Sequence, residues 1–197
     1  MENKHSLDSK YFKDVYDAND DPWNFETSEY EASKYAATIA ALPRAQYDNV
    51  LEIGCSIGVL TKLLAEKSKH LLATDISEKA LNLAVKRCSP LKNVSFEKLN
   101  FQERLPDDQF DLIMVSEVAY YLSSEDWVAT ISRLIEHTKE SGHVVLVHWL
   151  PEVHDYPQTG DEVHDTFEKT VKGKMLNVFS DRAQTYRIDV WEKRASE

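Results

Sequence analysis

The chain has 197 residues and a formal net charge of -11, with 42% hydrophobic and 29% charged residues. This length fits one domain with a substantial core, and the acidic balance disfavours a phosphate-binding surface, so we expect no nucleic-acid partner. The apolar runs are shorter than the roughly 20 residues that span a bilayer. The first residues lack a signal-peptide core, so we expect a cytoplasmic protein without a membrane partner.

Two helices are predicted ahead of the first strand. Tyr11, Phe12 and Tyr16 give the polar opening an amphipathic helical pattern, and a second helical pattern covers residues 28–42. A turn that carries Trp23 separates the two helices. We predict that residues 1–43 form a helical lid segment over a main domain of residues 44–197, the whole being one globular unit.

The central stretch of the chain, residues 50–61, reads as a strand, a glycine turn and the start of a helix. Gly54 and Gly58 lack Cβ atoms, so a ligand can approach the backbone of this turn closely. A second apolar run follows and ends in Asp75. An acidic residue at that place can accept hydrogen bonds from both hydroxyl groups of a ribose.

Strands and helices then alternate, which predicts an α/β fold with a mostly parallel sheet. The predicted helices cover residues 59–66, 77–87, 125–139 and 159–173. The predicted strands cover residues 50–53, 71–75, 94–99, 110–115 and 143–149, followed by a hairpin of residues 174–179 and 184–191. Gly142 is predicted to end the third of these helices, and Ser180 to Arg182 to form the hairpin turn.

The residues at the ends of the fourth and fifth strands are candidates for a ligand site, because the carboxyl ends of parallel strands line the crevice of such folds. Ser116 and Glu117 follow the fourth strand, and His148 ends the fifth. Tyr120 and Tyr121 are adjacent, so we expect their rings to diverge, with one of them in the core.

Residues 52–58 read Glu-Ile-Gly-Cys-Ser-Ile-Gly, a loop that suits a cation better than a pyrophosphate because Glu52 stands beside the turn. This stretch resembles the signature of class I S-adenosylmethionine-dependent methyltransferases, with Ser56 in place of the middle glycine. The resemblance implies a Rossmann-like fold, with seven strands, helices on both faces and a C-terminal antiparallel hairpin. It also implies S-adenosylmethionine as cofactor and S-adenosylhomocysteine as product.

The resemblance carries a set of cofactor contacts onto this chain. Lys34 is implied for the methionine carboxylate, Asp75 for the ribose, and Asn100 with Phe101 for the adenine, where the family commonly has an acidic residue. The full set is Trp23, Lys34, Glu52, Gly54, Cys55, Ser56, Gly58, Asp75, Ile76, Asn100, Phe101 and Ser116.

Three segments resemble the nodulation protein S branch of these enzymes, namely residues 21–23, residues 51–58 with the glycine loop, and residues 116–122. That resemblance implies a small-molecule acceptor, and specifically N-methylation of an amino sugar or a related amine. We expect His148 to accept a proton or orient the acceptor, with Glu117 and Tyr120 beside it. Tyr121, His154 and His164 are the predicted substrate contacts.

Three other functions stay open on the sequence. One is O-methylation of a small metabolite, and another is a noncatalytic protein that binds S-adenosylmethionine. The third is a metal site built from His148, His154, Asp155, His164 and Asp165, but their spacing matches no common ligand pattern and we expect no metal. The oligomeric state is open.

Overall fold

The computed structural model describes residues 5–195 and contains a seven-stranded sheet in the order β3-β2-β1-β4-β5-β7-β6. Strands β1 to β5 run parallel to one another, whereas β7 pairs antiparallel with both β5 and β6. The strands are β1 (Tyr47–Ile53), β2 (Ser68–Asp75), β3 (Val94–Lys98), β4 (Phe110–Ser116), β5 (Thr138–Trp149), β6 (Met175–Arg182) and β7 (Tyr186–Lys193). The predicted sheet is therefore confirmed.

Helices connect the parallel strands and cover the sheet. They are α1 (Ser9–Ala18), α2 (Glu29–Ala40), α3 (Val59–Glu66), α4 (Glu78–Arg87), α5 (Ser124–His137) and α6 (Gly160–Thr170). Side-chain caps fix several helix starts: Ser28, Ser77 and Ser123 each accept a hydrogen bond from a backbone amide in the first turn. No helix among residues 5–195 has the length and apolar character that crossing a bilayer requires.

The chain order of the sheet creates the crevice where the site lies. From β1 the chain moves outward through β2 and β3 and then returns to the other side of β1 to form β4. The loops after β1 and β4 therefore leave the sheet in opposite directions, which opens a space at the carboxyl ends of these two strands. Every residue of β4 is buried, so this edge of the space is rigidly supported.

Two predicted boundaries are wrong. Helix α5 ends at His137, and β5 begins at Thr138 rather than after Gly142. Thr138 pairs with Phe110, and Ser141, at φ 57°, lies where the pairing register shifts. The extra residues thus form an irregularity inside a strand and do not extend the helix.

The predicted hairpin turn at residues 180–182 is also displaced. These residues belong to β6, and Arg182 pairs with Arg187, so the turn lies at residues 183–185. Polar strand residues misled the prediction because β6 is an edge strand, whose seven residues from Leu176 onward are all exposed.

The segment before β1 lies over the carboxyl ends of the strands. The Leu7 amide donates to the Tyr121 carbonyl over 2.8 Å, and the Tyr16 hydroxyl lies 2.6 Å from Ser56 Oγ in the glycine loop. The part of this segment around α1 is therefore attached to two loops of the crevice. Its division from the main domain at residues 43 and 44 stays a prediction.

Candidate active site

The loop after β1 needs glycine at its first position. Gly54 has φ 75°, and a Cβ placed there would lie 2.1 Å from Val118 Cγ1. Any side chain would therefore collide with the loop after β4 as well as strain the backbone. Ser56 also adopts a positive φ of 49°, which turns its backbone amide toward Asp75.

The Asp75 carboxylate is fixed by two backbone amides. Ser56 N–H donates to Oδ2 over 2.9 Å, and Ser77 N–H donates to Oδ1 over 2.8 Å. Each carboxylate oxygen has a further lone pair, so both can still accept a hydroxyl from a ligand in the cavity. Burial raises the pKa of Asp75 to about 6, and the two amide donors act in the opposite direction.

Glu52 is a buried acidic residue of the site with one unsatisfied oxygen. It is 1% exposed at the centre of the sheet, and its Oε2 accepts no hydrogen bond from the described residues. Burial raises the pKa of Glu52 to about 8. A buried carboxylate without a cation is costly, so this position fits a cationic ligand such as the positively charged end of S-adenosylmethionine.

A cavity of about 400 Å³ connects these groups. Its size lies within the range of about 300 to 1,000 Å³ typical of small-molecule sites. The walls come from the loops after the five parallel strands, β1 to β5, and from the segment before β1. The wall includes four acidic side chains and many aromatic rings.

Glu117 organises the side of the cavity that faces away from the glycine loop. Its backbone has φ 57°, and its Oε2 accepts hydrogen bonds from the Tyr120 hydroxyl over 2.6 Å and from the Trp149 amide over 2.9 Å. Its Oε1 accepts from Lys34 Nζ over 2.5 Å. The carboxylate is therefore fixed in one orientation at the cavity wall.

Lys34 is buried, with 1% exposure, and lies between two carboxylates. Its Nζ donates to Glu31 Oε1 over 3.0 Å as well as to Glu117. Burial alone would lower the pKa of Lys34, but the charges of Glu117 and Glu31 raise it. An ammonium has three donors, so one N–H of Lys34 is still available to a ligand carboxylate.

Tyr120 and Tyr121 are both buried in the core cluster and both line the cavity, so the core position expected for one of them is found for both, whereas the expected divergence of their rings is wrong. They form the 3-10 turn Ala119–Tyr121, and their rings meet edge to face at 4.7 Å. The ring of Tyr156, from the loop after β5, stacks on the ring of Tyr120 with 4.9 Å between the ring centroids. The hydroxyl oxygens of Tyr156 and Tyr121 lie 3.3 Å apart. The three rings make an aromatic wall next to Glu117.

Most predicted site residues lie in the wall of this cavity. The residues that do so are Trp23, Lys34, Glu52, Gly54, Cys55, Ser56, Asp75, Ile76, Asn100, Phe101, Ser116, Glu117, Tyr120 and Tyr121. Gly58 does not. Its φ of 83° starts α3, and its missing Cβ allows close approach to Ala84 of α4, 3.0 Å from the added atom. Gly58 therefore has a packing role, which corrects its predicted cofactor contact.

Asn100 faces the cavity, but its amide is used locally. Its Oδ1 accepts from the Gln102 backbone amide over 3.2 Å, and its Nδ2 donates to Glu103 over 2.9 Å. These bonds hold the turn after β3 and leave the neighbouring Phe101 ring packed against the core.

His148 does not lie where it could take a proton from an acceptor in the cavity, so this prediction is wrong. His148 is fully buried and does not line the cavity. Its Nε2 accepts from the Ala119 amide over 3.2 Å, and its Nδ1 lies 3.1 Å from His164 Nε2. His164 Nδ1 in turn lies 2.6 Å from Asp189 Oδ2. Both ring nitrogens of His148 are therefore engaged within the protein.

Donor and acceptor roles along this chain of groups follow from its ends. The Ala119 amide can only donate and the Asp189 carboxylate can only accept, so each of the two neutral imidazoles carries its proton on Nδ1. Burial lowers the pKa of His148 well below its usual range, with His164 adding to this effect, which keeps His148 neutral. His164 is buried in the same chain, so its predicted substrate contact is also wrong.

His154 is exposed on the loop after β5 and does not line the cavity. Val153 and Tyr156 of the same loop do line it, so the loop reaches the site through different residues from those predicted. Within residues 5–195, no group of three or more His, Cys, Asp or Glu side chains is arranged to hold a metal ion.

Several residues of the site were missed from the sequence. They are Tyr16, Tyr30, Glu31, Tyr35, Trp149 and Tyr156. Glu31 had a usable signal, because it stands three residues before Lys34 and such pairs share a helix face. The aromatic residues carried no such signal, since rings at helical spacing equally suit a core.

Comparisons with known proteins agree with this architecture. Nodulation protein S of Bradyrhizobium diazoefficiens is 34% identical over 106 residues, which are 53% of this chain and 51% of that protein. Phosphoethanolamine N-methyltransferase 1 of Caenorhabditis elegans is 29% identical over 175 residues, 84% of this chain and 36% of the relative. This chain therefore matches about half of the Bradyrhizobium protein and a smaller part of the nematode one.

The crystal structure of N-methyltransferase NodS from Bradyrhizobium japonicum WM9, in complex with S-adenosylhomocysteine, superposes with a TM-score of 0.81. The two sequences are 20% identical, and the superposition covers 96% of this chain and 100% of that one. This likeness confirms the predicted Rossmann-like methyltransferase fold. A sequence model of the family described as Nodulation protein S (NodS) matches residues 6–147. Since this match covers more than half of the chain, the protein belongs to the nodulation protein S family.

Proposed function

We propose that this protein is an S-adenosylmethionine-dependent N-methyltransferase that acts on the amine of a small molecule, with amino sugars as the first class to test. The observation that carries the proposal is one cavity that joins three features: a glycine loop that allows close approach, the fixed carboxylate of Asp75, and the buried carboxyl group of Glu52, whose Oε2 accepts no hydrogen bond from the described residues. Family membership supports the reaction type and the amino-sugar class.

The cofactor would lie along the ends of β1, β2 and β3. Asp75 would accept the ribose hydroxyls, since each of its oxygens has a lone pair left. Glu52 would face the positively charged end of the cofactor, and the third N–H of Lys34 would reach the methionine carboxylate. Ile76, Asn100 and Phe101 would enclose the adenine, and Trp23, Cys55, Ser56 and Ser116 would complete the wall.

When bound, S-adenosylmethionine supplies a methyl group on a positively charged sulfur. The work left to the protein is to align a neutral amine with that methyl group, and such proximity and orientation can lower a barrier by about 7 to 11 kcal/mol. Glu117 is suited to hold the amine because its carboxylate is fixed by Tyr120, Trp149 and Lys34. Tyr120 and Tyr121 would pack against the body of the acceptor.

An amine acceptor fits this wall better than a hydroxyl acceptor. Methyl transfer to an amine leaves a positive charge on nitrogen, and a fixed carboxylate stabilises such a charge without reorganising. Deprotonation of a hydroxyl needs a base, and the predicted base, His148, is turned into the protein interior with both ring nitrogens engaged. The aromatic wall and Glu117 therefore favour N-methylation.

The cofactor part of the proposal is tested by calorimetry. The protein should bind S-adenosylmethionine and S-adenosylhomocysteine but not a nicotinamide dinucleotide. Asp75→Ala should weaken cofactor binding by about 1.5 to 3 kcal/mol, the range for hydrogen bonds to a charged acceptor. Asp107→Ala, at an exposed loop position, is the control and should bind normally. Unchanged affinity in Asp75→Ala would remove the ribose role, and tight dinucleotide binding would overturn the proposed function.

A further inference from the structure

Three charged side chains form a recess in the cavity wall next to the aromatic rings. Lys34 Nζ lies 3.0 Å from Glu31 Oε1 and 2.5 Å from Glu117 Oε1. With both carboxylates ionised, this group of three carries one net negative charge. It comes from two separate parts of the chain, since Glu31 and Lys34 belong to α2 and Glu117 follows β4.

Glu31 differs from Glu117 in how its oxygens are used. Glu117 accepts three hydrogen bonds, whereas Glu31 Oε2 accepts none from the described residues, although it lies 2.9 Å from Lys34 Nζ. Glu31 is only 8% exposed and lines the cavity. Lys34 Nζ is the single partner of Glu31 Oε2 among the described residues, so this oxygen keeps a lone pair for an N–H group of a ligand.

The cavity wall has few groups that could bind an anion. Among the described residues that line it, Lys34 is the single cationic side chain, while Glu31, Glu52, Asp75 and Glu117 are all acidic. Lys34 is already held by two carboxylates, and a bound cofactor would compete for its remaining N–H. A phosphate or carboxylate on the acceptor would thus be desolvated next to like charges without a partner.

We propose that the recess of Glu31, Lys34 and Glu117 selects an acceptor that presents an amine and carries no phosphate or carboxylate, and that Glu31 sets this preference. The inference rests on the proposed function and narrows its substrate class. It separates this chain from its relative named for phosphoethanolamine, whose acceptor carries both an amine and a phosphate. Removal of the Glu31 charge leaves Lys34 with one carboxylate partner and so makes it available to an anion.

The test compares matched amines that differ by one phosphate. The pairs are ethanolamine with phosphoethanolamine, and glucosamine with glucosamine 6-phosphate, and the rate of S-adenosylhomocysteine formation is measured for each. The unphosphorylated member should have a kcat/KM at least about tenfold higher, because juxtaposed like charges cost more than a factor of ten in binding. Glu31→Gln should reduce this ratio by about fivefold or more, because the phosphate of the phosphorylated member no longer faces the Glu31 charge and can pair with Lys34.

Glu29→Gln is the matched control, because Glu29 is exposed in the same first turn of α2. It should keep the wild-type ratio and should bind S-adenosylmethionine within about twofold of the wild type. Glu31→Gln should bind S-adenosylmethionine at least as tightly as the wild type, because Lys34 then has one carboxylate partner fewer. If Glu31→Gln lowers the ratio without weakening cofactor binding, the effect cannot come from a purely structural role of Glu31. The wild-type ratio remains a test on its own if Glu31→Gln does not fold.

Three results would overturn the inference: equal or better use of the phosphorylated amines, an unchanged ratio in folded Glu31→Gln, or no methylation of any of the four amines. The same calorimetry shows which idea has failed. A protein that binds S-adenosylmethionine but prefers phosphorylated amines retains the proposed function and loses only the inference about the recess. A protein that does not bind the cofactor loses both.

Discussion

Replacement of Glu52 by Gln should change how the stability of the protein depends on pH. Burial raises the pKa of Glu52 from 4.5 to about 8 in the folded protein. Between these two values the folded state holds a proton that the unfolded state has released. The free energy of unfolding therefore falls as the pH rises through this window, and the loss is complete above the folded pKa.

The size of the effect follows from the shift. A change of one pKa unit corresponds to about 1.4 kcal/mol, so a shift from 4.5 to about 8 costs nearly 5 kcal/mol at pH 9. The cost is about 3 kcal/mol at pH 7 and about 1 kcal/mol at pH 5. Relative to Glu52→Gln, the wild type should thus lose about 4 kcal/mol between pH 5 and pH 9. A constant penalty for burying the new amide does not affect this difference.

The assay is urea unfolding without cofactor, followed by tryptophan fluorescence at pH 5, 7 and 9. Glu66→Gln removes the same formal charge at an exposed position and is the control. Its pH dependence should match that of the wild type. If the curves of wild type and Glu52→Gln run parallel over this range, Glu52 is not a buried carboxylate forced to keep its proton, and its assignment to a cationic ligand loses its physical basis.

Two other substitutions test the packing around the site. Gly54→Ala should lower the free energy of unfolding by about 2 to 5 kcal/mol in urea, because it combines a left-handed backbone with a collision against Val118. A decrease under about 1 kcal/mol would contradict the close packing of this loop on Val118. His148→Ala should cost about 2 to 4 kcal/mol of stability, since it removes a buried ring with two engaged nitrogens, yet leave cofactor affinity within about twofold. Weaker cofactor binding in a folded His148→Ala protein would show that this residue reaches the site after all.

Much of the fold could be predicted because local patterns and tertiary structure agree in this chain. The β1 strand and the glycine turn are marked by an apolar run that ends in Gly54, and α3 was predicted with its observed bounds. The start of α4 was predicted to within one residue, because the Ser77 side chain offers an acceptor to the first turn of this helix. Errors occurred where pairing across the sheet overrides local preference, as at Thr138, which joins β5 although it continues a helical pattern.

The candidate site was predictable where it depends on chain position and not where it depends on orientation. Asp75 and Glu117 follow strands, so their place at the crevice is set by topology. His148 also ends a strand, but alternate strand residues face opposite sides of the sheet. His148 shares the side of Val144 and Leu146, which pack in the core cluster with Phe167 of α6. The sequence does not specify which side a helix will cover.

Glu31 illustrates a second limit of prediction from the sequence. Its proximity to Lys34 was predictable from helix geometry, but its relation to Glu117 joins residues from α2 and from the end of β4. Only the packing of the segment before β1 over the sheet brings these three charges together. Local sequence patterns carry no information on such a contact.

The fate of a labelled methyl group would show most directly whether this protein transfers methyl to nitrogen. S-adenosylmethionine carrying ¹³C in its methyl group is incubated with the protein and the free amines glucosamine and ethanolamine, and the products are followed by NMR. We predict a protein-dependent N-methyl signal together with S-adenosylhomocysteine. Label found on oxygen, or no transfer by a protein that binds the cofactor, would contradict the proposed reaction.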